Sequence, residues 1–156
     1  RYAGMKLFLL QHADALSSES DPARPLSEKG RAQAKKAGDF LKKLPGYPAI
    51  ILHSGKKRAA ETAEIISFAL GGIRMEPREY LGPDDELEGV LDELSKSDVN
   101  IMVVGHMPFL RKLASLLLGF NEDAVVVDFH NASPLILDRG ALGYRLDTYV
   151  KNEYLK

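Results

Sequence analysis

Three short apolar runs punctuate the chain: Met5 to Leu10 (MKLFLL), Ala49 to Leu52 (AIIL) and Asn100 to Val104 (NIMVV). Their near-continuous hydrophobicity, without strict alternation, predicts strands buried on both faces of a parallel sheet. A helical pattern follows. After Ser27, a good N-cap, Ala34, Ala37, Leu41 and Leu44 recur at spacings of three and four until Pro45 and Gly46 stop the helix. Ala59, Ala63, Ile66 and Leu70 mark a second helix that ends at Gly71 and Gly72. Asp85 and Glu88 are spaced as a capping box for a third, with Leu87, Leu91 and Leu94 on one side. Pro108 suits the first turn of a fourth, which buries Leu110, Leu113, Ala114 and Leu117 and closes at Gly119. The pattern then changes. Ala124 to Phe129, Pro134 to Leu137 and Leu142 to Leu146 read as strands, the last two joined as a hairpin across Asp138, Arg139 and Gly140. Together these elements predict an α/β domain, a three-layer αβα sandwich around a mostly parallel mixed sheet with antiparallel strands added late.

Composition narrows the possibilities. The 156 residues, 45% of them hydrophobic, suit one full core, so 5–150 is expected to form a single domain. Residues 1–4 precede a methionine and read as a vector-derived remnant. A net charge of −1 gives no broad cationic field, so neither nucleic acid nor an anionic membrane is an expected partner. The apolar runs are far shorter than the roughly 20 residues that span a bilayer. With no cysteine, thiolate catalysis and cysteine-ligated zinc are excluded, and a cytoplasmic location is the default expectation.

Ligands of open α/β sheets bind outside the carboxyl ends of the strands. Here those ends read Gln11-His12, His53-Ser54 and Gly105-His106, collecting three of the four histidines. Arg58 falls in the first turn of the second helix, where helix amides and a guanidinium fork jointly suit a phosphate. Ala13 to Pro25, rich in Ser, Asp and Pro, forms the longest loop and directly follows His12.

These residues carry a family resemblance. The segments QHADA, DPARPLS, HSGKKRAAETA and VGHMP resemble, in that order, four signatures of the histidine phosphatase superfamily, and the likeness runs from about Met5 to about Leu146. The branch it is most similar to is that of the SixA-type phosphohistidine phosphatases, which are similarly short and share the RPL(S/T) loop. The resemblance implies a phosphoglycerate-mutase-like fold and a two-step phosphoryl transfer. It makes His12 the nucleophile, Arg58 the phosphate clamp, His106 the second pocket histidine and Arg24 the loop arginine. The phosphate-binding set is then Gln11, Arg24, Arg58 and His106. A neutral imidazole can attack phosphorus in line, and nearby arginines would hold His12 unprotonated. Positive side chains supply what a metal ion supplies elsewhere, so neither metal nor other cofactor is expected.

One position departs from the family: it places arginine directly before the nucleophile, where this chain has Gln11. An amide donates hydrogen bonds but carries no charge. The general acid is also open. Glu79 stands where SixA-type sequences tend to have a glutamate, with Asp84 and Asp85 nearby, although Asp85 has an alternative place as an N-cap. A phosphohistidine needs little acid help, because its leaving imidazole has a pKa near 6.5. Ser54 reads as a helix cap before a phosphate ligand, and His53 as either pocket lining or strand-end packing. His130, Asn131 and Ser133 read as a turn. The expected partner is a phosphorylated protein or a small phosphate ester. The competing classes are a non-catalytic phosphate-binding domain, suggested by Gln11, and a metallohydrolase using His12, His53, His106 and Asp84/Asp85, which lack a short ligand spacing. The sequence gives no oligomeric state.

Overall fold

The computed structural model describes residues 4–156, so residues 1–3 of the segment read as a remnant lie outside the described residues. Six strands form one sheet: β1 (Met5–Gln11), β2 (Ile50–His53), β3 (Arg74–Pro77), β4 (Ile101–Gly105), β5 (Leu135–Gly140) and β6 (Gly143–Tyr149), in the order β3-β2-β4-β1-β5-β6. β1, β2, β3 and β4 pair in parallel, with Leu9 opposite Val103 and Leu52 opposite Val103 on the other side. β5 and β6 add antiparallel pairings at one edge.

The apolar runs work as double-sided strands because successive side chains point to opposite faces. Phe8, Leu10, Ile51, Met102 and Val104 meet Ala34, Ala37 and Leu41 of α1 (Glu28–Lys42) and Ala59, Ala63 and Ile66 of α2 (Lys57–Ala69). Leu7, Leu9, Leu52, Ile101 and Val103 meet Val90 and Leu94 of α3 (Glu88–Lys96) and Phe109, Leu110 and Leu113 of α4 (Phe109–Leu117). These two cores, one on each face of the sheet, make the αβα sandwich that the sequence pattern predicts. No helix among the described residues is long and apolar enough to cross a membrane.

Ser27 caps α1 as expected, its side chain accepting from Gly30 N at 3.0 Å. Five details differ from expectation. The segment 124–129 is irregular. Its carbonyls are taken by side chains, since Ser115 Oγ and Arg111 Nη1 donate to Ala124 O and Tyr149 Oη donates to Asp128 O. β3 was missed because RMEP is a polar edge strand with no apolar run. The β5–β6 hairpin turns at Ala141–Leu142 and not at 138–140. Asp138 stays in the strand opposite Lys6, 2.7 Å from its Nζ, and Arg139 donates to Leu94 O and Ser97 O. Asp85 does not cap α3: its carboxylate accepts from Gly82 N at 2.7 Å, and Leu87, buried in the core, takes the cap position without a side-chain bond. Pro108 stands one place earlier than expected, at the N-cap of α4 after a cis Met107–Pro108 bond.

Candidate functional site

β1, β2 and β4 end side by side, so the residues that follow them converge. His12 and His106 leave adjacent parallel strands, and their rings lie 5.2 Å apart between centroids, inclined at 53°. Both are buried. The backbone around His12 is held on every side. His12 N donates to Gly105 O at 3.0 Å, Asn131 Nδ2 donates to His12 O at 2.8 Å, and Ala132 N donates to Gln11 O at 2.8 Å. Thr62 of α2 adds a further tie, accepting from Ala13 N and donating to Arg58 O at 2.7 Å. A hydroxyl inside an apolar helix face gave no sequence signal of that role, and neither did Asn131, which does lie in the turn expected there.

The His12 ring has one anchored nitrogen. Its Nδ1 lies 2.7 Å from Ala13 O, and because a carbonyl only accepts, Nδ1 carries the proton and Nε2 keeps its lone pair. Burial is the main force pushing the His12 pKa below 6.5. Arg58 and Arg24 push the same way, against the Ala13 carbonyl and Asp14. His106 is lowered further, to about 3, by burial first and then by His12, Arg58, Lys56 and Arg24. Arg58 is itself lowered by burial and by Arg24. These mutual effects put Arg24, Arg58, His12 and His106 in one electrostatic neighbourhood. Arg24 is held in a left-handed backbone conformation (φ 50°), and its Nε donates to Leu16 O at 2.9 Å.

Ser54 is a correction. It does not cap α2, whose cap position is Lys56 with no side-chain bond. Instead its Oγ lies 2.6 Å from His106 Nε2 and accepts from Lys56 N at 3.3 Å. His53 packs: it is buried, its pKa is lowered by burial, and its Nδ1 accepts from Gly55 N at 3.1 Å. Among the described residues, the buried side-chain polar atoms without a hydrogen-bond partner are Gln11 Oε1, Arg58 Nε and His106 Nδ1. Buried polar groups are normally satisfied, so three such atoms around one strand terminus mark a place built to meet a polar group.

Glu79 is exposed and outside this cluster. It lines a cleft of about 480 Å³ with Ser54, Pro77, Arg78 and Tyr80, next to the hydroxyl that touches His106. Its neighbours are fixed, since Arg78 donates twice to Glu93 of α3 at 3.0 Å and Tyr80 Oη also bonds Glu93. Asp84 and Asp85 are exposed, and His130 pairs with Asp128 at 3.2 Å. No group of three or more His, Asp or Glu side chains able to hold a metal forms among the described residues. Ser133 serves the scaffold, donating to Asn131 O and accepting from Asn152 N.

Comparison with known proteins adds an independent line. Residues 9–82, which include His12, Arg24 and Arg58 but not His106, match the family model of the histidine phosphatase superfamily (branch 1). An uncharacterized protein of Picosynechococcus sp. is 29% identical over 96% of this chain and 93% of its own length. Among solved structures, the protein histidine phosphatase SixA complexed with tungstate superposes with a TM-score of 0.84 at 23% identity, over 97% of this chain and 100% of that one. Phosphoglycerate mutase from Bacillus anthracis superposes with a TM-score of 0.77 at 15% identity, over 97% and 95%.

Proposed function

We propose that this chain, whose residues 9–82 match the histidine phosphatase superfamily model and whose fold is that of SixA, is a phosphohistidine phosphatase using His12 as its nucleophile. The observation that carries the proposal is the pair of buried neutral imidazoles, with Nε2 of His12 free and with Arg58 Nε and His106 Nδ1 partnerless beside it. In the first step the His12 Nε2 lone pair attacks phosphorus. The new N–P bond forms as the bond to the leaving imidazole nitrogen breaks, and that nitrogen takes up a proton. In the second step water attacks, the N–P bond returns its electrons to His12, and inorganic phosphate leaves. Arg58, Arg24 and His106 face the charge on the equatorial oxygens. With Ser54 donating its proton to Nε2, His106 presents Nδ1–H to phosphate. Tungstate bound by the SixA relative is an oxyanion of the same tetrahedral class, which agrees with this reading.

A second reading rests on Glu79. A carboxyl lining the cleft beside Ser54 is placed to protonate an alkoxide, so a small phosphomonoester is the alternative substrate. One comparison separates the two: hydrolysis of a phosphohistidine peptide against sugar and aryl phosphates, without added metal, by wild type and His12→Ala. Faster turnover of the phosphohistidine, with a trapped phosphoenzyme that His12→Ala abolishes, is the expected outcome. Preference for an alkyl phosphate transfers the assignment to the second reading. A His12→Ala protein that still labels removes His12 from the nucleophile role, and tight phosphate binding without turnover makes this a binding domain.

A further inference from the structure

At the catalytic end of the sheet, beyond Gln11, lies a second cleft of about 540 Å³ that the phosphoryl chemistry does not use. One wall is α1, with Lys29, Gln33 and Lys36; the others are 129–133 and the chain after β6, with Lys151 and Glu153. The cleft is firmly built. Asn152, buried beneath it, donates from Nδ2 to Gln33 O at 2.9 Å and Ala132 O at 2.7 Å, which fastens all three walls. Lys29, Lys36 and Lys151 form no ion pair among the described residues, whereas Lys6, Lys35 and Lys96 each face an aspartate. Lys29 and Lys36 are two helical turns apart on α1, about 10 Å at the α-helical rise, so they spread positive charge along that wall. Gln11, the last residue of β1, lines the same cleft.

We propose that this cleft docks an acidic polypeptide segment flanking the phosphorylated histidine, with its carboxylates on Lys29, Lys36 and Lys151. The inference rests on the phosphohistidine reading for its substrate, and on the cleft alone for its chemistry. An acidic polypeptide brings several carboxylates on one extended chain, matching three lysines spread over two walls of the cleft. The chain's net charge of −1 leaves no wider basic field for a nucleic-acid backbone to follow. Asn131 and Ala132, which hold His12 O and Gln11 O, also line or border the cleft, so an occupant sits against the segment that positions the nucleophile.

The test compares two phosphohistidine peptides of equal length, one flanked by glutamates and one by serines, with wild type and with the Lys29→Gln/Lys36→Gln/Lys151→Gln triple variant. Wild type is expected to favour the acidic peptide in kcat/KM by about tenfold or more at low salt, mostly through KM and fading as salt screens the lysines. The triple variant should lose that ratio, and Lys42→Gln/Lys43→Gln/Lys156→Gln, which removes equal charge elsewhere, should keep it. Binding of a fluorescein-labelled, unphosphorylated glutamate-rich peptide, followed by anisotropy, tests the cleft without turnover. If neither phosphohistidine peptide is hydrolysed but this binding depends on the three lysines, the substrate assignment fails and the docking cleft stands. Equal kcat/KM for the two peptides in wild type, or a ratio unchanged in the triple variant, overturns the docking cleft. So does tighter lysine-dependent binding of an oligonucleotide of equal length.

Discussion

At the scale of single residues, position 11 is where the chain departs from the family resemblance at the proposed phosphate site. Gln11 ends β1 beside His12 with its Oε1 buried and unpaired, where the family resemblance places an arginine. A hydrogen bond to a charged group is worth roughly 1.5–3 kcal/mol, about ten- to a hundredfold in affinity. Gln11→Arg is therefore expected to tighten inorganic phosphate by that factor, measured by titration calorimetry. An unchanged or weaker dissociation constant would mean that the pocket has been rebuilt around the amide, with Arg24 and Arg58 carrying the anion alone. The candidate histidines were readable from sequence because each directly follows a buried strand. The family resemblance separated His12 and His106 from His53, but their partners were not legible, and only the fold gives His106 a serine partner and His53 a backbone one.

At the scale of elements, the approach of α1 to the loop after His12 is set by one small residue. A Cβ on Gly30 would lie 1.9 Å from Asp14 O, closer than any real contact, and Ser27 Oγ, one turn earlier, donates to Asp14 Oδ2 at 2.6 Å. Gly30→Ala would force the helix off the segment that follows His12, at a cost of about 1–3 kcal/mol for overpacking. Urea unfolding should show a lower midpoint together with reduced turnover. A variant as stable and active as wild type would show that the loop adjusts freely. Helices and inner strands were legible because their apolar spacing alone sets which face is buried. β3 and the 124–129 segment were not, for opposite reasons. RMEP becomes a strand only because β2 offers it an edge, whereas AVVVDF pairs with no strand and its Ala124 and Asp128 carbonyls are bonded by side chains of α4 and Tyr149.

At the scale of the whole molecule, burying two imidazoles ties stability to pH. His106 falls from 6.5 to about 3 on folding, so between about pH 6.5 and about pH 3 the unfolded chain holds more protons than the folded one. Stability from this group is therefore complete above about pH 6.5 and is lost as pH falls through that window. His12 acts in the same direction. His106→Gln should show a shallower loss of Tm on acidification than wild type. Equal slopes would mean that His106 protonates in the folded protein without penalty. For the proposed nucleophile the lowered pKa of His12 leaves its imidazole neutral below neutrality, and the acid limb of kcat/KM is accordingly expected below pH 6.5.

By itself, the sequence determined the layered α/β plan, the buried strands and the strand-end residues from which the site is drawn. These follow from local periodicity and from motifs contained in short segments. Only the tertiary structure decided which of those residues meet. The sheet order sets β4 between β1 and β2, so His12, Ser54 and His106, from distant parts of the chain, come together at one strand terminus, while Glu79 stays at the rim of the neighbouring cleft. Contact between segments remote in sequence depends on strand pairing and packing, which no local pattern records.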